Sequence, residues 1–177
     1  MKEKKIYFIS GVSGVGKTSV MTELQKIEES GFDVHDFDER GVPDAAGHDW
    51  RRAETRYWIG EGIKKNALGL DFVVCGVAHP IEIKEIAAGL PSVSIEIIFL
   101  DADDEVIEQR LRKRNEDKKV RESLERAADK TFEKFLQDNT NFAKHLREVC
   151  RQHECVIVDT TNMNPEEVSK KLLGILV

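Results

Sequence analysis

Proline and glycine are sparse in this 177-residue chain, four and twelve respectively. That excludes collagen-like and Pro/Gly-rich disordered classes. No apolar run approaches the roughly 18 residues a membrane helix needs. The apolar stretch after the charged N-terminus, Ile6 to Ile9, is too short for a secretory signal. A cytoplasmic location is therefore expected. Excess basic charge is also missing: the net charge is −6. Duplex-binding domains usually show as basic, so nucleic acid is not the expected partner, and no membrane partner is expected either. Cysteine is limited to Cys75, Cys150 and Cys155. The last two lie too far apart for a C-x-x-C redox or zinc pair. Cys75 sits inside the apolar run Phe72 to Cys75, where a thiol reads as a small buried hydrophobe, and all three thiols are expected to be inert.

What remains is globular composition, 40 % apolar and 34 % charged, at a length suited to one domain. No repeat, low-complexity tract or linker divides it. Strand-like and helix-like runs alternate throughout. Strands are expected at Lys5–Ile9, Phe32–Phe37, Phe72–Cys75, Ser94–Leu100 and Val156–Val158. Helices are expected at Lys17–Glu29, Asp49–Ala67, from Pro80, after Asp103-Asp104 and from Pro165, with Asn164 as a cap. The glycines Gly60 and Gly62 weaken the second helix's intrinsic propensity. Val120 to Val149 reads as one long amphipathic helix, docked on this protein's own sheet rather than on a partner. The expected fold is a three-layer α/β/α domain with a five-stranded parallel sheet.

Gly11-Val12-Ser13-Gly14-Val15-Gly16-Lys17-Thr18 matches G-x-x-x-x-G-K-S/T, entered by an apolar strand and left by an amphipathic helix. The residue types follow from phosphate chemistry. Glycines let successive backbone N–H groups turn inward around a phosphate, and the helix start at Lys17, Thr18 and Ser19 adds its positive end. The Lys17 ammonium reaches the terminal phosphates and the Thr18 hydroxyl ligates Mg²⁺. The pattern specifies nucleotide and Mg²⁺ binding better than it specifies a reaction.

On these residues the chain resembles the P-loop NTPases, and within them the small nucleoside and metabolite kinases, such as gluconate, adenylylsulfate and guanylate kinases. The resemblance implies a P-loop kinase-like fold with a short helical lid, and ATP and Mg²⁺ as cofactors. Asp36-Phe37-Asp38, with Arg40 beyond, resembles the acidic stretch ending the second strand of these kinases. There it implies an acceptor-orienting or proton-accepting role for Asp36 or Asp38 and a magnesium role for Asp36. Residues two apart on a strand point to one side, which would aim both carboxylates at the site. Arg110-Leu111-Arg112-Lys113-Arg114 resembles the R-L-x-x-R lid and implies that Arg110 and Arg114 stabilise the transferring phosphoryl group. Residues 110–121 hold seven basic residues against two acidic ones; a solvated helix face is the plainer reading. Thr161 and Asn162 fall in the segment that runs beside the adenine in this group, or simply precede the cap of the last helix. Arg40, Arg51, Arg56 and His79 fall where the resembled kinases hold their acceptors, although surface arginines are the plainer reading and a lone histidine is more often structural.

Two absences narrow the reaction. The third strand ends at Cys75-Gly76 without a carboxylate; the resembled kinases often lack one there and use a second-strand Asp instead, which implies Asp36 or Asp38 for that role, and no guanine-reading N-K-x-D is present. The expected activity is ATP-dependent transfer to a small-molecule acceptor by a monomer or homodimer. The alternatives are a nucleotide-binding regulator or hydrolase, and an enzyme acting on nucleic-acid ends.

Overall fold

The computed structural model describes residues 3–27, 31–43, 46–90 and 93–176. Five strands, β1 (Ile6–Ser10), β2 (Phe32–Asp36), β3 (Asp71–Cys75), β4 (Ile95–Asp101) and β5 (Val156–Asp159), form one sheet in the order β2-β3-β1-β4-β5. Every pairing is parallel. β1 is central and buried along its whole length, as its uninterrupted apolar sequence requires. Each strand lies within two residues of its expected bounds.

Alternation along β1 divides the core. Ile6 and Phe8 pack with Trp58 and Ile59 of α2 (His48–Ala67) and with Ile83 and Ile86 of α3 (Pro80–Ala88). Tyr7 and Ile9 join the cluster formed with α1 (Lys17–Gln25) and α7 (Pro165–Leu176), which also takes in α4 (Asp104–Arg114) and α6 (Phe132–Gln152). These layers form the α/β/α arrangement. Gly62, unfavourable by propensity, is required by contact: a Cβ there would lie 2.6 Å from the Ile6 side chain and 2.9 Å from Phe72. The missing side chain lets α2 lie close on the sheet.

The expected single helix over 120–149 is two. α5 (Lys118–Ala128) ends at Asp129, whose φ of 50° is left-handed, and α6 begins after Thr131. The Thr131 hydroxyl accepts from the Lys134 N–H, and Glu125 Oε1 accepts from the Phe132 N–H at 2.7 Å. A short polar triplet thus provides both a stop and a restart, which apolar periodicity conceals. α5 buries none of its residues, whereas α6 buries Leu136, Ala143 and Leu146 among others.

Two capping expectations fared differently. Asn164 and Glu167 exchange reciprocal hydrogen bonds with each other's backbone N–H, at 3.0 and 2.8 Å, forming a capping box at α7. Asp103 occupies the N-cap of α4, but its carboxylate accepts no capping bond, and the Asp104 carboxylate is taken by Arg147. The last predicted residue of the first helix, Glu29, lies outside the described residues.

Candidate nucleotide and acceptor cavity

The β1–α1 connection lies at the carboxyl end of the sheet, where open α/β sheets bind ligands. It forms one wall of a cavity of about 600 Å³ with residues from Ser13 through Ser19. Gly14 and Gly16 take φ values of 92° and 104°, the left-handed region that glycine adopts without strain and that phosphate-cradling turns use. The Lys17 ammonium donates to the Gly11 and Val12 carbonyls, each at 2.8 Å. Burial pushes its pKa down from the ordinary lysine value to about 8, with Arg114 adding repulsion and the Cys75, Asp38 and Asp36 side chains opposing it. An anion placed beside it would restore the charged form. Thr18 and Ser19 are exposed on the cavity wall.

Asp36 and Asp38 line the opposite side. Strand alternation is not what places them, because β2 ends at Asp36 and Asp38 lies in the turn beyond. An Asx turn brings them together: the Asp38 N–H donates to Asp36 Oδ1 at 2.8 Å. Burial and the neighbouring Asp36 charge raise the Asp38 pKa, while Arg51 and Lys17 partly offset the rise. Asp36 and Thr18 supply oxygen ligands of the kind Mg²⁺ takes, both on the cavity wall. The tip of β3 contributes Cys75, Gly76 and Val77 and no carboxylate. The Cys75 thiol is buried and its pKa is pushed up to about 12 by that burial, matching the inert reading for this residue.

Arg110 and Arg114 have separate surroundings, although both line the cavity. Arg110 donates to the Thr160 hydroxyl at 3.2 Å and to the Thr160 carbonyl at 2.7 Å. Arg114 is exposed and has no hydrogen-bond or ion-pair partner among the described residues. The rest of the basic run is partly neutralised, with Arg112 forked onto Glu133 through two 2.7 Å bonds.

In the β5–α7 turn the wall is made by Thr160, Met163 and Pro165, and not by Thr161 or Asn162. The Thr161 hydroxyl is occupied by the Asp103 N–H at 3.0 Å. Thr160 is the member that reaches inward, its hydroxyl 3.1 Å from the Val15 carbonyl.

Of the expected acceptor residues, Asp38 lines the cavity, whereas Arg40, Arg51, Arg56 and His79 lie outside its lining. Arg40 pairs with Glu54 at 3.1 Å and stacks 3.7 Å from the Tyr57 ring centroid. Arg51 donates to the Val77 carbonyl at 3.3 Å, next to the cavity. Arg56 is exposed and unpaired among the described residues. His79 sets its Nε2 3.4 Å from His145 Nε2.

Two residues gave no sequence signal. Asn139 of α6 accepts from the Ser13 N–H at 3.1 Å and donates to the Ser13 carbonyl at 3.0 Å. Arg147 of α6 binds Asp101 at 2.8 Å, Asp104 at 2.6 Å and the Ala102 carbonyl at 2.7 Å, fixing the end of β4. Each is one polar residue among many on a long amphipathic stretch and becomes conspicuous only once the fold brings the partners together.

No protein-family model matches the sequence, and no curated protein matches it. Solved structures do. A sugar kinase from Janibacter sp. HTCC2649 superposes with a TM-score of 0.62 at 18 % identity, over 97 % of this chain and 93 % of that one. A gluconokinase from Sinorhizobium meliloti 1021 gives 0.61 at 17 %, over 99 % and 93 %. A shikimate kinase from Acinetobacter baumannii, in complex with shikimate, gives 0.60 at 15 %, over 98 % and 93 %. The fold is that of the P-loop kinases. This P-loop kinase fold places the Gly11–Thr18 loop, the β2 tip and the α4 arginines around one cavity. Among the described residues no helix is long and apolar enough to cross a membrane.

Proposed function

We propose that the protein is an ATP-dependent phosphotransferase acting on a hydroxyl or phosphate group of a small molecule. One observation carries this reading: a phosphate-binding loop and a pair of carboxylates share one cavity. A bare nucleotide-binding module needs the first, and group transfer needs both. Mg·ATP would supply the phosphoryl group and its charge-neutralising metal.

Lys17 and the N–H groups of residues 14–19 hold the phosphates, while Thr18 and Asp36 hold the metal. Asp38 orients the acceptor and takes its proton. Its raised pKa brings it closer to the working range of a general base than an ordinary carboxylate. Arg114, the unpaired cation on the wall, stabilises charge on the transferring group. Arg110 braces the Thr160–Thr161 turn that forms the base side of the cavity. Arg51 stands near enough to oppose the rise in the Asp38 pKa and can meet an anionic acceptor. The segment 110–121 is the proposed lid, and the absence of buried residues in α5 is what makes its outer half easy to move.

The test is ADP release from Mg·ATP against a panel of hydroxyl and phosphate acceptors, with Lys17→Ala as blank. Acceptor-dependent ADP formation, absent in the blank, is expected, and Asp38→Asn should abolish transfer while leaving nucleotide binding intact. Acceptor-independent hydrolysis, or full transfer by Asp36→Asn, Asp38→Asn and the double variant alike, would overturn the reading.

A further inference from the structure

The cysteine pair has no part in the proposed transfer reaction. Cys150 lies in the last turn of α6 and Cys155 just before β5. The connection between them is a Schellman motif. The Cys155 N–H donates to the Cys150 carbonyl at 2.9 Å and the Glu154 N–H to the Arg151 carbonyl at 3.4 Å, with Glu154 in the left-handed region at φ 53°. The two residues that normally make the motif's apolar contact are here both cysteines, Cys150 within the buried core cluster and Cys155 packed against it. A disulfide needs Cα atoms about 4.4–6.8 Å apart, and the 2.9 Å backbone bond between the two residues keeps them near one another.

We propose that Cys150 and Cys155 form a reversible two-electron redox site, closed to a disulfide by a hydroperoxide and reopened by a dithiol. The proposal does not depend on the phosphotransferase reading. The surroundings assign the roles. Cys155 is half-buried, whereas Cys150 is fully buried. The Cys150 S–H beside it and the Lys84 ammonium hold the Cys155 thiol below its usual range, and the same contact with burial holds Cys150 above it. Lys84 is fixed there by donating to the His153 carbonyl. Cys155 is therefore the attacking thiolate and Cys150 the resolving thiol.

In the first step Cys155 Sγ takes the outer oxygen of the hydroperoxide, the O–O bond breaks, and the alcohol leaves with a proton. In the second, Cys150 Sγ attacks the resulting sulfenic sulfur. The S–S bond forms, and the hydroxyl leaves as water with the Cys150 proton. Each sulfur is oxidised by one electron and the peroxide is reduced by two. Reduction proceeds by two thiol–disulfide exchanges that leave the dithiol as a cyclic disulfide.

The folded protein is treated with hydrogen peroxide, then denatured, labelled with N-ethylmaleimide and weighed intact. The reduced chain takes three labels, one for each cysteine. After peroxide we expect a single label, on Cys75, and a cross-linked peptide spanning residues 150–155. Dithiothreitol should restore three labels. Cys155→Ser, a change at a half-exposed position, should keep two labels after peroxide, and Cys150→Ala should stop at an oxygenated Cys155. Three labels after peroxide, an intermolecular dimer, or a wild-type chain that stops at sulfinic acid on Cys155 would each overturn the proposal.

Discussion

Asn139 holds Ser13 by both ends of one amide, across 126 residues of sequence. The phosphate-binding loop is therefore not shaped by its glycines alone, because α6 fixes its apex. Losing two hydrogen bonds of about 0.5–1.5 kcal/mol each predicts that Asn139→Ala weakens nucleotide binding roughly tenfold. Asn139→Asp should weaken it further, since a carboxylate would face the Ser13 carbonyl and the incoming phosphates. Isothermal titration with ATP checks the order. Unchanged affinity in both variants would reduce the clasp to a packing contact.

The pH dependence of binding follows from Lys17, whose pKa burial brings down to about 8. Below that pH the ammonium is charged and ready to meet phosphate. Above it, protonation must accompany binding, because a phosphate partner raises the lysine pKa again. Affinity should fall by about tenfold per pH unit above 8, the slope of one coupled proton. Lys17→Arg should bind more weakly at neutral pH and show no such fall. A flat wild-type profile between pH 7 and 9.5 would contradict the assignment.

Arg110 and Arg114 should separate kinetically. Arg114, free to meet developing charge, predicts a drop in turnover of about 10²–10³ for Arg114→Ala with little change in nucleotide affinity. Arg110 is tied to Thr160, so Arg110→Ala should loosen the β5–α7 turn and raise the nucleotide KM instead. Steady-state kinetics with varied ATP distinguishes the two patterns. The reverse pattern would exchange their roles.

Arg147 joins α6 to two carboxylates and a carbonyl at the end of β4 while only 16 % exposed. Arg147→Ala would strand Asp101 half-buried and without its cation, predicting a loss of about 3 kcal/mol in urea unfolding. A loss under 1 kcal/mol would show that solvent replaces the arginine there.

The fold was legible in the sequence because its signals are local and agree. Short apolar strands, helical periodicity between them and one specific loop left few topologies open. Where local signals competed, legibility failed. Apolar spacing over 120–149 masked the break at Asp129–Thr131, since the stripe resumes in phase after the turn. The Asp36 and Asp38 pairing was anticipated for the wrong reason, because strand periodicity stops where a side-chain-to-backbone bond takes over. Thr160 was passed over for Thr161 and Asn162 because one residue in a turn decides which side chain points inward. Asn139, Arg147 and the contact between His79 and His145 join distant elements, so no window of sequence contains both partners.

The strand order has a consequence for how the molecule comes into being. β1 and the loop after it lie near the start of the chain, yet β1 is flanked by β3 and β4, residues 71–75 and 95–101. Thr160, which closes on Val15, comes later still. The loop after β1 thus waits for β4 before its strand is enclosed, and for Thr160 before its wall is whole. Closing such distant contacts is slow. A partly synthesised chain carries the complete phosphate-loop motif long before it has the surroundings that hold it in shape.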